Sequence, residues 1–376
     1  MPRRRVTSWV AVAGAVLALA VPATAAARVH SSKLFGLVSA TYYEDPPSAS
    51  EFSTMHAAGV RIFRTQLYWR GIEPSKGTFD WSDADAVVGA AASQGVRILP
   101  YLAGSPQWVT GCSGMSVVCD ATPPRSRSEL KAWKKFVSQA VARYGPGGTY
   151  WTNPSLYQLQ FPGHSAMPIK DWQIWNEPNL KRFFRPRPSA RAYAKLLKVA
   201  AKAIRSKAPK ADIVSAGIAP GLKGSKTAIL MPKYLKSLYK VRGAKRSFDA
   251  VAIHPYAPKL SQLAANVGAV RRIMNHAGDR RAPIWLTEVG WGSGPANAGD
   301  PHSVGLNGQA RLIGKSFPLF VHKARRWHLA KVFFFSWTDT PGGTGGAWYL
   351  NAGLLYADLS PKPSWGVFQT KMHQFR

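Results

Sequence analysis

Asp171-Trp-Gln-Ile-Trp-Asn-Glu-Pro-Asn179 decides the reading of this chain. Trp172, Ile174 and Trp175 give it the apolar character of a buried strand, and Pro178 ends regular pairing immediately after the glutamate. The stretch therefore delivers Asn176 and Glu177 to the C-terminal end of a strand. A second stretch, Ile284-Trp-Leu-Thr-Glu-Val-Gly-Trp291, ends another apolar run with Glu288. The whole chain holds six glutamates, so two at strand ends are informative.

Outward from these two stretches, apolar strand-like runs alternate with helix-like segments. The runs are 34–40, 60–67, 96–102, 171–175, 212–219, 248–256, 283–289 and 332–337. Helices are expected over 50–58, 83–93, 128–144, 189–207, 229–239, 261–276 and 308–328, with Ser128 a candidate cap for the third. Eight strand candidates separated by helices predict an α/β fold, a (β/α)8 TIM barrel. The rival is a doubly wound open sheet. No Gly-rich phosphate loop follows the first strand, which removes the usual nucleotide-binding reason for that rival.

The N-terminus reads as a leader rather than as fold. Arg3, Arg4 and Arg5 precede an apolar stretch from Trp9 to Val21, Pro22 interrupts it, and Ala25-Ala26-Ala27 offers a small-residue cleavage site. That stretch falls short of the roughly 20 apolar residues that a membrane span needs. Residues 1–27 are expected to be a signal peptide, cleaved after Ala25 or Ala27. Residues 28–376 then form one secreted, extracellular domain with no transmembrane span. Cys112 and Cys119 lie in a Gly/Ser-rich loop with six residues between them, and export favours a disulfide there. No neighbouring histidine or third cysteine completes a metal site, and neither metal nor organic cofactor is expected.

The net charge of +32 predicts attraction to anionic surfaces such as cell-surface polymers or acidic glycans. Nucleic acid would bind non-specifically through the same charge, but no motif for specific nucleic-acid recognition is present.

In a barrel, chemistry collects at the C-terminal ends of the strands. There the sequence puts Arg64 on the second strand, Asn176 and Glu177 on the fourth, and His254 and Tyr256 on the sixth. Glu288 follows on the seventh and Trp337 on the eighth. Two carboxyl groups facing one cleft are what glycosidic bond cleavage requires. For any one of these residues a structural role competes: an ion pair for the acids and Arg64, satisfied burial for His254 and Tyr256, core packing for Trp337. Trp69, Trp108 and Trp291 are further candidates to line a glycan cleft, again with packing as the competing reading. Asp339 and Glu44 are additional strand-end acids.

Trp175-Asn-Glu-Pro178 and Thr287-Glu-Val-Gly-Trp291, with Arg64, Tyr256 and Trp337 in step, resemble the clan A superfamily of retaining glycoside hydrolases. The cellulase-like and β-xylosidase-like families are the nearest by eye, and the resemblance spans residues 34–368. It implies Glu177 as general acid/base and Glu288 as nucleophile. It also implies Arg64 and Tyr256 stabilising Glu288, Asn176 on the sugar 2-hydroxyl, Trp337 under the sugar, His254 hydrogen-bonding the sugar or orienting its neighbours, and a poly- or oligosaccharide substrate. The cellulase-like family carries a histidine near the end of its third strand, where this chain reads Leu99-Pro-Tyr-Leu102. A non-catalytic glycan- or wall-binding protein on a degenerate barrel is the alternative, and the presence of both glutamates argues against it.

Overall fold

The computed structural model describes residues 30–39, 46–112, 116–296, 300–342 and 347–375. The expected leader and Glu44 lie outside them. Eight strands, each followed by a principal helix, make up the body. They are β1 (Phe35–Val38), β2 (Ile62–Tyr68), β3 (Arg97–Ala103), β4 (Asp171–Ile174), β5 (Asp212–Val214), β6 (Val251–Ile253), β7 (Ile284–Val289) and β8 (Leu329–Phe335). The helices are α1 (Ala49–Ala57), α2 (Ser82–Ser93), α3 (Arg127–Tyr144), α4 (Ala190–Lys207), α5 (Met231–Tyr239), α6 (Leu260–His276), α7 (Gly305–Trp327) and α8 (Pro363–Gln374).

All ladder pairs are parallel, and the sheet runs β5-β4-β3-β2-β1-β8-β7-β6. Two isolated bridges between β5 and β6 regions, Val214 with Ala250 and Ile218 with Ile253, bring its two edges together. This is the expected (β/α)8 barrel. None of the helices among the described residues is long and apolar enough to cross a membrane.

Two apolar cores follow from the period-2 alternation of strands. The larger lies between strands and helices and takes in Phe63, Leu102, Trp172, Ile174 and Leu286. The smaller plugs the barrel with Val38, Ile62, Leu99, Val214, Ala250, Ala252, Trp285 and Phe333. Two residues further along the strands, the inward positions turn polar and aromatic. Ile62 is followed by Arg64, Leu99 by Tyr101, Ala252 by His254, Trp285 by Thr287 and Phe333 by Phe335. The plug is thus a floor, and the next layer up is the floor of a site.

The helices start where capping chemistry permits. Ser48 caps α1 with Glu51 reciprocating, and Ser189 caps α4. For α3 the cap is Ser126 and not the expected Ser128: Ser126 accepts from the Glu129 N–H, and the Glu129 carboxylate accepts from the Ser126 N–H in return. Ser128 sits one turn-step inside, its hydroxyl 3.1 Å from that of Ser126. The Cys112–Cys119 disulfide forms, with its Cα atoms 5.4 Å apart, and staples the loop between β3 and α3.

Candidate active site

The end of β4 departs from strand geometry at once. Trp175 (φ 72°) and Glu177 (φ 39°) both occupy the left-handed region, which non-glycine residues rarely adopt. The Trp175 side chain turns outward, where its indole N–H donates to the Phe183 carbonyl at 2.7 Å. Glu177 and Asn176 are left at the barrel mouth. The Glu177 N–H is anchored on the Gly217 carbonyl at 3.0 Å. At the end of β7 the device is different. The register against β8 shifts between Leu286 and Val289. Such an irregularity breaks strict alternation, and the consecutive residues Thr287 and Glu288 both serve the site.

Arg64, fully buried on β2, ties these ends together. Its Nη1 donates to Glu288 Oε1 at 2.7 Å, its Nη2 to Asn176 Oδ1 at 2.8 Å and its Nε to Gln173 Oε1 at 2.6 Å. A buried guanidinium is tolerable only with such complete pairing. Its face lies 4.2 Å from the centre of the Tyr101 ring, near the end of β3. The Tyr256 hydroxyl donates to Glu288 Oε2 at 2.5 Å. His254, also fully buried, holds the middle. Its Nδ1 lies 2.8 Å from Glu177 Oε1 and 3.4 Å from Glu288 Oε2, and its Nε2 lies 3.0 Å from Thr287 Oγ1. A Cβ on Gly217 would fall 2.0 Å from His254 Nε2, so the chain needs glycine there for the imidazole to fit.

Ligand atoms of Glu177, His254 and Glu288 all lie within 4.8 Å of one another. Three such groups could geometrically share a metal ion, but the Arg64 guanidinium already pairs with Glu288 and would repel a second cation. The two carboxyl groups differ in electrostatics. Burial pushes Glu177 above the ordinary carboxylate range and the negative charge of Glu288 adds to this, while His254 and Arg64 pull only partly the other way. Burial acts on Glu288 in the same sense, but His254, Arg64 and the Tyr256 hydroxyl together outweigh it and hold Glu288 below its ordinary value. One acid is poised to keep a proton and its neighbour to stay an anion.

Six of the seven sequence-predicted site residues thus converge: Arg64, Asn176, Glu177, His254, Tyr256 and Glu288. Trp337 does not join them. It is buried toward the helices, its indole N–H donating to Glu51 Oε1 at 2.8 Å and its ring packed edge-on against Trp365 at 5.3 Å. The aromatic ring beside the site is instead Trp348, 4.7 Å from the Tyr256 ring and 6.0 Å from Phe335. The Trp348 backbone N–H donates to Asp300 Oδ2 at 3.0 Å, and the His302 ring stacks on the indole at 5.2 Å. Trp69 and Trp291 are core residues, and Trp108 packs edge-on against Trp69. Asp339 is occupied by Lys362 at 2.6 Å. Sequence reasoning also missed Gln173 and Thr287, whose signal was a polar residue at an inward position of an otherwise apolar strand. Trp348 was signalled only as half of an aromatic pair with Tyr349 after a glycine-rich stretch.

A cleft of about 870 Å³ opens beside Asn176, lined nearest the site by Gln66, Tyr68, Tyr101 and Trp175. A Cβ on Gly104, which has φ +81°, would strike the Tyr68 ring at 2.2 Å, so the cleft wall also depends on a glycine.

Residues 165–322 match the family model described as glycosyl hydrolase catalytic core. No curated protein sequence matches the chain. Among solved structures, a family 39 glycoside hydrolase from Bacteroides cellulosilyticus WH2 is 19% identical, with a TM-score of 0.61 over 92% of this chain and 64% of that one. A monomeric beta-xylosidase from Caulobacter crescentus CB15 is 17% identical, with a TM-score of 0.61 over 92% and 68%. Xylanase 10B from Thermotoga maritima is 12% identical, with a TM-score of 0.60 over 92% and 96%. The chain therefore spans less than two thirds of the length of the first of these, and at such identities the likeness is one of fold. Residues 165–322 are thus similar to a glycosyl hydrolase catalytic core, and they lie in a (β/α)8 barrel whose fold resembles those of clan A glycoside hydrolases.

Proposed function

We propose that this chain is a secreted retaining glycoside hydrolase that cleaves O-glycosidic bonds of a β-linked glycan by double displacement. The observation that carries the reading is the pair Glu177 and Glu288. Their nearest ligand atoms are within 4.8 Å, close to the separation of about 5–5.5 Å that suits a retaining pair and too short to seat a water between them as inversion requires. Their opposed proton affinities supply one acid and one anion.

In the first step a Glu288 carboxylate oxygen attacks the anomeric carbon. The bond to the leaving oxygen breaks, and Glu177 gives that oxygen its proton. Glu288 loses its charge on forming the glycosyl ester, so the repulsion that helped to keep Glu177 protonated disappears. Glu177 is then a better base. In the second step it takes a proton from water as that water attacks the anomeric carbon, and Glu288 is released as the carboxylate.

Asn176 turns its Oδ1 to Arg64, which leaves its amide N–H groups to donate to a sugar hydroxyl. His254 keeps Glu177 in register, Arg64 and Tyr256 favour the anionic form of Glu288, and Trp348 offers a ring for the sugar to pack on. The beta-xylosidase and xylanase among the structural neighbours make β-xylosides the first substrates to try.

The test is the anomer released: proton NMR of the earliest product should show the configuration of the substrate, and initial release of the opposite anomer would overturn double displacement. Export rests on the basic, apolar and small-residue order of the first 27 residues. The protein recovered outside the cell should begin at Ala26 or Arg28, and retention with an intact N-terminus would refute it.

A further inference from the structure

The cleft beside Asn176 has a charge that the hydrolytic step does not use. Among the described residues three arginines line it, Arg70, Arg182 and Arg185, against one acid, Asp120. Arg70 Nε lies 3.1 Å from Asp120 Oδ1, but burial pushes that carboxyl up to about 7, so near neutral pH it offsets only part of one positive charge. Arg182 donates to the Tyr349 hydroxyl at 3.2 Å and lies 5.1 Å over its ring.

Arg185 is the most telling of the three. Its main chain is pinned to the cleft wall: its N–H donates to the Ala121 carbonyl at 2.7 Å, and its carbonyl accepts from Arg125 at 2.7 Å. The residue is half-buried, and among the described residues no carboxylate pairs with its guanidinium. A ligand that carries the anion would supply the missing partner. A guanidinium fork matches the two oxygens of a carboxylate or the oxygens of a sulfate.

We propose that Arg185, with Arg70 and Arg182, forms a subsite for an anionic sugar residue, a uronate or a sulfate ester, in the substrate of this site. The inference rests on the glycosidase reading for its substrate but not for its binding. Asn176 belongs both to the catalytic cluster and to the cleft. The anionic residue therefore sits beside the cleaved bond rather than at it, and selects the glycan without taking part in bond breaking.

The test uses the full chain with Glu288→Gln, so that ligands persist, and titration calorimetry at low salt. Three β-linked oligosaccharides of one backbone are compared: uronate-bearing, the same with its carboxyls reduced to hydroxymethyl groups, and a sulfated form. An anionic form should bind about tenfold tighter or more than the reduced one, as for a charge met by a fixed partner. Which anion gains tells carboxylate from sulfate. In Arg185→Gln that ratio should collapse toward one, and Arg185→Lys should restore part of it. Lys202→Gln, on the exposed face of α4, controls for the general charge of the molecule.

Equal affinity for anionic and reduced forms, no binding of any of them, or a preference that Arg185→Gln and Lys202→Gln reduce alike would overturn the subsite. Anionic preference in a wild-type chain that hydrolyses none of the three would instead sink the glycosidase reading and leave the subsite standing.

Discussion

The ends of β4 and β7 present the same residue type to the same few ångströms of space, and the protein makes them opposites. Glu177 leaves β4 through two left-handed residues and comes to rest on an imidazole, with burial dominating its proton affinity. Glu288 leaves β7 through a register shift and comes to rest between a guanidinium and a phenol. Both are buried, so the difference lies in the partners rather than in solvent access. The lesson is that two identical acids are given opposite proton affinities by residues from other strands: Arg64 from β2, and His254 and Tyr256 from the end of β6.

If that assignment is right, the two acids should fail differently. Glu288→Gln should lower kcat by about a thousandfold or more on every substrate, because it removes the proposed nucleophile. Glu177→Gln should cost about a hundredfold or more on glycosides with poor leaving groups. On an aryl glycoside whose leaving group needs no proton, the first step should be nearly spared and the glycosyl-enzyme should accumulate as a burst. Rapid-quench kinetics with both substrate types checks this, and equal losses for both variants on both substrates would erase the contrast.

A second pair sharpens the contrast between shell and site. Trp337 and Trp348 both follow β8, one buried in the outer core and one beside Tyr256. Trp337→Ala should destabilise the fold by about 3–5 kcal/mol, as large-to-small changes in a packed core do. Trp348→Ala should leave the unfolding midpoint near wild type and raise KM about tenfold, through loss of an aromatic contact with the sugar. Chemical denaturation alongside steady-state kinetics separates the two, and reversed outcomes would move the sugar platform back to Trp337.

The smallest effect concerns pH. Tyr256→Phe removes one of the interactions that hold Glu288 below the ordinary carboxylate range. The acid limb of the kcat/KM profile reports the requirement for ionised Glu288 and should move to higher pH. The alkaline limb, which reports protonated Glu177, should move less. The loss at the optimum should be about tenfold, in keeping with one charged hydrogen bond. An acid limb that stays in place would show that Tyr256 does not tune Glu288.

Much of this was legible before any coordinates. The eight strand positions follow from apolar runs of the right length between helical periodicities, and the barrel follows from their number. Strand-end placement then brings Arg64, Asn176, Glu177, His254, Tyr256 and Glu288 to one mouth, because a parallel barrel points all its C-terminal ends the same way. Trp337 shows where that logic stops. A position at a strand end specifies height along the barrel axis and not whether the side chain faces the axis or the helices. Beyond Phe335 the chain no longer keeps strand alternation, and the indole turned to Glu51.

By itself the sequence determined the repeat of strand and helix and the presence of two strand-end acids, because these depend on local periodicity and residue type. Only the tertiary structure decided which acid keeps its proton, which tryptophan meets the site and which arginines face the cleft. Those properties depend on contacts between residues more than a hundred positions apart, such as Arg64 with Glu288. Directions and distances of that kind are absent from any single stretch of chain.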